Sequence, residues 1–373
     1  MTVKWKLCTA LGTLLIVAQS ACAAAAAQTG AATAPVADLL YVTNQNDATV
    51  SIIDMATNRI VRTVDLQQLG FSANAKPHHV AVEPDGSYWY VTLIGDNRIV
   101  KLDSRDRIVA QVPFETPGML ALHPSEDLLF VGRSMTAVNP PPRIGVVRRS
   151  DMGIEEVSVF FPRPHAIGLE PRSNTVYTAS LAVNQMAAVD VESEDVELLD
   201  VPGPAHALMQ FAVSPDGSRL AISAELSHRV FIFDITDVGS PRIIAELEVE
   251  QQPFDPLFTP DGRWLYLGNK AANAVTVIDM STHSVAAVIR GRGLAQPHGI
   301  AVSPDGRRVY VSNNNLSQVH DMGAGHEMHA VPAAPAGNGT IVVIDTATRE
   351  IIEVIEVGHN AAGIGTRTPV PAR

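Results

Sequence analysis

The chain has almost no cysteine. Cys8 and Cys22 are the only two in 373 residues, and both lie in the first 27. Beyond that segment there is no disulfide, no thiolate metal ligand and no cysteine nucleophile. The chain also lacks Cys-x-x-Cys-His, which excludes a covalently attached c-type haem. There is no G-x-S-x-G elbow, no P-loop and no Rossmann glycine fingerprint, so neither a serine-hydrolase triad nor a nucleotide site is indicated. Basic charge is short as well. The formal net charge is −12, and −14 once Lys4 and Lys6 are removed with a leader. Nucleic acid is therefore a poor partner, since phosphates need basic surface.

The first residues read as an export signal. Lys4 and Lys6 precede an apolar run at 11–18 and an Ala-rich stretch ending AAAAAQ. A charged start, a short apolar centre and small residues at the cut define a secretory signal over 1–27. The apolar centre is too short for a lasting membrane anchor, so no transmembrane span is expected after processing. An alternative is lipidation at Cys22 within QSAC, although Gln19 stands where such signals carry Leu. The expected location is periplasmic or secreted. Residues 28–37 read as a flexible leader and 366–373 as a tail.

The rest of the chain repeats. Pro-Asp-Gly turns recur at 84–86, 215–217, 260–262 and 304–306, with degenerate versions at 124–126 and 171–173. An Asp closing a β-branched strand recurs at Asp54, Asp103, Asp190, Asp234, Asp279 and Asp345. Pro fixes one turn dihedral and Gly accepts a positive one. Alternating Val or Ile with Thr, Ser or Asp is the period of strands. Neighbouring copies lie roughly 45 residues apart, the spacing of four-stranded propeller blades. The fold class read from this is all-β, a seven-bladed β-propeller over 38–365. First strands are expected near His78, Gly118, His165, His206, Phe254, His298 and His359. The N-terminal blade lacks its first strand, and HNAAGIG at 359–365 is expected to supply it and close the ring.

These motifs, YVTN at 41–44, VSIID, VTVID and the SPDG turns, resemble the YVTN-type β-propeller repeat family across essentially all of 38–365. The resemblance implies the fold but leaves function open, because this scaffold hosts lactonases, lyases, redox enzymes and binding proteins.

In a propeller blade the loop before the first strand and the loop after the second share one face. That places His78, His79, His165, His206, His298 and His359 at one mouth of the central channel. The only long interruption, an insert at 315–338 in the last blade, belongs to the same face. It carries His320, Met322, His326, Met328 and His329, which suit a lid or a metal-loading arm. Imidazole is a common transition-metal ligand and thioether suits cuprous copper, so copper is the metal expected. The His-lined mouth also resembles the copper propeller of nitrous oxide reductases and of thiocyanate dehydrogenases, where inner strands supply the ligands. The chain departs from the former in lacking a cysteine-containing copper domain, and Phe254 stands where a further ligand would sit. His123 and His283 fall at a turn and before an outer strand, as structural or surface residues.

Three functions follow from this reading. One is a periplasmic metal-binding propeller, with copper and redox activity. The second is a lactonase or lyase in which His298 and Glu225 form an acid–base pair. The third is a non-catalytic scaffold whose channel mouth takes a small molecule or a periplasmic protein partner, with the loop at 134–142 shaping its rim.

Overall fold

A computed structural model describes residues 38–316 and 337–369. They form 28 strands in seven four-stranded antiparallel sheets. The inner strands are Ala361–Gly365, Pro77–Val82, Pro117–Leu122, Pro164–Leu169, Leu208–Val213, Pro253–Phe258 and Pro297–Val302, for blades one to seven. The arrangement is the seven-bladed propeller. Blade one is composite, because Ala361–Gly365 pairs with Leu39–Asn44 through Tyr41↔Gly365 and Val42↔Ile364. Its first strand starts two residues after His359, which instead ends the outer strand Ile351–His359 of blade seven. His206 likewise precedes its inner strand by two residues. Past the last strand, Thr368 N–H donates to Val82 O, so residues 366–368 of the tail lie along blade two.

The chain has no single core. Among the described residues, apolar burial is divided among seven clusters, each shared by two neighbouring blades, and a small eighth one of Leu181, Met209 and Phe254. Tyr41, Val50 and Ile52 of blade one meet Val80, Trp89 and Val91 of blade two. Tyr310, Ile341 and Val343 of blade seven meet Leu40, Val42 and Ile364 of blade one, so ring closure is apolar as well as hydrogen-bonded. A half-polar sheet buries one face only. Here both faces of each inner and second strand are covered by neighbours, and the outer strands carry the exposed positions.

One backbone device recurs in every blade at the channel mouth. The residue before each inner strand has positive φ: Lys76, Thr116, Arg163, Ala207, Gln252, Gln296 and Asn360. None is glycine, and a non-glycine residue there costs roughly 1–3 kcal/mol. Each is held by the same bond, in which its carbonyl accepts from the first residue after the second strand. The donors are Ile94, Ser134, Leu181, Glu225, Lys270, Asn314 and Gln45. Just inside this closure the inner strand carries a register shift, as between Pro77 and Val80 or Pro297 and Ile300. A bulge re-aims the side chains at a strand end. His78 lines the mouth cavity, whereas its strand neighbour His79 turns to Leu120 of blade three.

Where blade one meets blade two the backbone packs very closely. A Cβ added at Gly363 would lie 1.9 Å from the carbonyl oxygen of His78. Thr43 Oγ1 donates across the same seam to the carbonyl of His78 and, within its own blade, to that of Gly363. Gly363→Ala is expected to destabilise the fold by about 1–3 kcal/mol through overpacking. Thermal unfolding checks this, and an unchanged Tm would show that the seam opens freely.

Candidate functional site

The mouth closure decides what the site is made of. In most blades at least one of the two residues joined by that bond lines the channel entrance. There a cavity of about 600 Å³ is lined by Lys76, Arg163 and Gln252 from the positive-φ set and by Glu225, Lys270, Asn314 and Gln45 from the second-strand set. His78 and His298, first in register after the proline of their inner strands, line it too. Three cationic side chains and one carboxylate therefore face a cavity in a protein of formal charge −12.

Of the six sequence-expected histidines, the structure brings four together. The rings of His78 and His298 are 5.8 Å apart between centroids, and those of His78 and His165 are 6.5 Å apart. His79 is beside them and accepts a hydrogen bond from Leu120 N–H at Nδ1. His206 and His359 lie elsewhere. His206 is fully buried against Phe231, with Nδ1 on Ser227 Oγ and Nε2 on the Pro202 carbonyl, so neither nitrogen is free. His359 is half-exposed and paired with Asp47 at 2.9 Å. The cause is local. His78, His165 and His298 each follow a proline, whereas His206 and His359 precede the positive-φ residue and fall outside the inner strand. His320, Met322, His326, Met328 and His329 lie outside the described residues.

Hydrogen bonds settle two tautomers. His165 Nδ1 lies 2.7 Å from the carbonyl of Arg133, which can only accept, so the neutral ring has its proton there and a lone pair on Nε2. His78 Nδ1 lies 2.7 Å from Gln45 Nε2, which donates, so the neutral ring keeps its proton on Nε2. Burial holds these rings neutral. It pulls His165 and His79 down to about 4, and His78 and His298 fall well below the usual value, with neighbouring imidazoles and Lys270 adding to the effect.

The carboxyl groups move the other way. Burial raises Glu225, and it raises Asp255 to about 7, while Lys270 opposes both shifts. Lys270 is itself lowered by burial. Among the described residues, ten buried side-chain polar atoms have no hydrogen-bond partner. Six belong to cavity residues: His78 Nε2, His298 Nδ1, Glu225 Oε2, Arg163 Nε, Gln252 Oε1 and Asn314 Oδ1. An unpaired buried polar group is costly, so their concentration at one place sets these residues apart from the rest of the propeller. Among the described residues, no group of three or more His, Cys, Asp or Glu is disposed to hold a metal ion.

Sequence reasoning singled out His78, His298 and Glu225 but passed over Lys270, Arg163 and Lys76. A signal for Lys270 was present. It follows YLGN as Gln45 follows YVTN and Glu225 follows AISA, a repeat position that in these three blades lines the mouth.

The fold and site define a propeller with a polar pocket at one end of its channel. No protein-family model matches the chain. It is 20% identical over 311 residues to a 6-phosphogluconolactonase of Yersinia pestis (strain Pestoides F), covering 76% of this chain and 90% of the relative. Over 143 residues, 37% of this chain and 42% of the relative, it is 29% identical to a 6-phosphogluconolactonase of Enterobacter sp. (strain 638). Among solved structures it resembles a functionally unknown protein from Desulfotomaculum acetoxidans DSM 771, with TM-score 0.67 and 13% identity over 89% of this chain and 99% of that one. Kuenenia stuttgartiensis hydrazine synthase matches with TM-score 0.60 and 17% identity, over 74% and 89%. Both structural likenesses are of fold.

The neutral histidines set a pH dependence. An unfolded histidine titrates near 6.5 and folded His165 near 4, so the unfolded state takes up the proton first as pH falls. His165 thus costs stability between about 6.5 and 4. Asp255 works oppositely, because the folded state keeps a proton up to about 7 that the unfolded state releases near 3.8. Comparison with His165→Asn isolates the imidazole. From pH 7 to pH 4.5, wild-type Tm is expected to fall relative to the variant, and parallel curves would mean the ring is not held neutral.

Proposed function

We propose that this propeller hydrolyses a lactone carrying a negative charge, bound in the mouth cavity. The observation that carries the reading is the cluster of unpartnered polar atoms, His78 Nε2, His298 Nδ1 and Glu225 Oε2, in a cavity that also presents Lys76 and Arg163. The similarity to 6-phosphogluconolactonases supports it. Membership of the YVTN-type repeat group, suggested by the strand motifs, and export to the periplasm under the leader at 1–27 belong to the same proposal.

The roles follow from charge and protonation. Lys76 and Arg163 attract and orient the anionic substituent, strengthened by the low dielectric of the cavity walls. Glu225 takes a proton from water as the oxygen adds to the lactone carbonyl, and burial makes it a stronger base than an exposed carboxylate. His78 donates its Nε2–H to the oxygen on which negative charge develops. As the ring C–O bond breaks, the proton held by Glu225 passes to the leaving alkoxide. His298 Nδ1 faces the same cavity and orients the water or the departing oxygen.

The test is hydrolysis of δ- and γ-lactones with and without phosphate or carboxylate substituents. Glu225→Gln is expected to lower kcat by about 10²–10⁴. Arg163→Met is expected to raise KM for charged lactones more than for neutral ones. Turnover no faster than the spontaneous reaction across the panel would remove the proposal.

A second reading, a copper site, is favoured by His165. Its Nδ1–H is tied to a carbonyl and its Nε2 lone pair is left for a metal, in the manner of ligating imidazoles. His78 and His298 are the neighbours that would complete such a site after modest ring movement, with or without the insert. The protein purified from the periplasm would then carry about one copper per chain, and His165→Ala would lose it. Copper-free protein that is saturated by no added Cu(I) or Cu(II) would rule this reading out.

A further inference from the structure

Lysine is rare in this chain and its placement is selective. Five of the 27 basic residues are lysines, Lys4, Lys6, Lys76, Lys101 and Lys270, and the other 22 are arginines. Within the described residues three lysines remain. Lys101 is occupied, donating to the Arg149 carbonyl at 2.7 Å and sitting 4.2 Å above the Tyr88 ring. Lys76 and Lys270 both line the mouth cavity. A chain that meets nearly every other demand for positive charge with guanidinium uses amines at this cavity. Guanidinium does not deprotonate in proteins and is no nucleophile, whereas an enclosed amine is.

The two lysines differ. Lys76 is exposed at the rim. Lys270 is largely enclosed, with Nζ 4.7 Å from the centroid of the Phe254 ring, and its side chain has no hydrogen bond or ion pair among the described residues. Leu181 and Met209 pack with Phe254, so that wall is apolar. On the polar side Glu225 occupies, one blade earlier, the repeat position that Lys270 holds, and leaves Oε2 unpartnered.

We propose that Lys270 is a carbonyl-reactive amine that forms an imine with an aldehyde or 2-oxo acid bound in this cavity. This goes beyond lactone hydrolysis while using the same pocket. The Lys270 nitrogen pair attacks the carbonyl carbon, the C=O pair moves to oxygen, and the oxygen gains a proton to give a carbinolamine. Glu225, as the carboxylic acid, then protonates the hydroxyl. Water leaves, the C=N bond forms, and the nitrogen proton returns to Glu225. No oxidation state changes and water is the only by-product. Burial favours the unprotonated amine that starts the sequence and the protonated carboxyl that completes it. Lys76 and Arg163 suit a carboxylate on the carbonyl compound.

The experiment is reductive trapping. The purified full-length chain is incubated at pH 7 with glyoxylate and sodium cyanoborohydride, and adducts are located by peptide mass mapping. The expected result is carboxymethylation of Lys270 at least tenfold faster than of Lys76 or Lys101. It should be lost in Lys270→Arg and retained in Lys101→Arg, a substitution outside the cavity. If Lys270→Arg unfolds, Lys270→Met, which keeps an unbranched contact with Phe254, replaces it. Labelling of Lys76 or the amino terminus at a rate equal to or above that of Lys270 in folded protein would overturn the proposal. Lactone turnover with Lys270 unlabelled would leave the hydrolytic reading standing and remove this one. Labelling without lactone turnover would do the reverse.

Discussion

Everything at the working end of this molecule depends on one backbone bond made seven times. The carbonyl of a residue with positive φ, just before each inner strand, accepts the N–H of the residue just after the second strand. The bond offsets a conformation that no glycine eases. It also fixes the two residues it joins at the same place in every blade. The bulge next to it turns the first inner-strand side chains toward the mouth. Seven such closures around one axis make a ring of side chains whose positions are set by backbone alone.

The hydrophobic effect acts elsewhere, in the seven seams between blades. This separation matters for the chemistry. The seams supply stability and are dry, so the mouth can hold groups that a stability-optimised core would reject. Two neutral imidazoles with unpartnered nitrogens, a raised carboxyl and an enclosed ammonium side chain sit within a few residues of well-packed strands. A buried charge left without a partner normally costs several kcal/mol. Such groups persist in folds whose stability is supplied by other regions, and they mark functional sites more often than structural ones. The cationic lining within an acidic protein sharpens the point, since surface charge of the opposite sign would draw cations to the outside and leave the cavity for anions.

The architecture was legible because it is written in repetition. Pro-Asp-Gly turns and strand-closing aspartates gave seven blades, and the missing first strand gave the ring closure that Ala361–Gly365 makes. The face of the site was legible from topology. The identity of its members was only partly so. His206 and His359 occupy the expected stretch of the repeat, yet each lies two residues early, and a strand begins where backbone geometry starts it, not where a histidine falls. The dipeptide Pro-His separates His78, His165 and His298 from these two. Proline lacks the N–H that a bulged strand start would leave unpaired, so it marks where the inner strand begins. The raised carboxyl of Asp255 and the enclosure of Lys270 were not legible, because both arise from burial and packing that the repeat pattern does not encode.

The position after the second strand explains why a fold this regular says so little about function. It is occupied in turn by Gln45, Ile94, Ser134, Leu181, Glu225, Lys270 and Asn314. These side chains share neither size, charge nor polarity, although their N–H groups make the same bond. The fold therefore uses the backbone at this position and leaves the side chain unconstrained. Residues free of structural duty can change without loss of stability, so chemistry at the mouth diverges while the blades do not. A relative at 20% identity can keep every seam and replace the whole ring. Conversely, where one position combines an acid and an amine on adjacent blades, as Glu225 and Lys270 do, packing gives no reason for the choice. The explanation has to be sought in what occupies the cavity, and the lactone and imine proposals are two answers to that question.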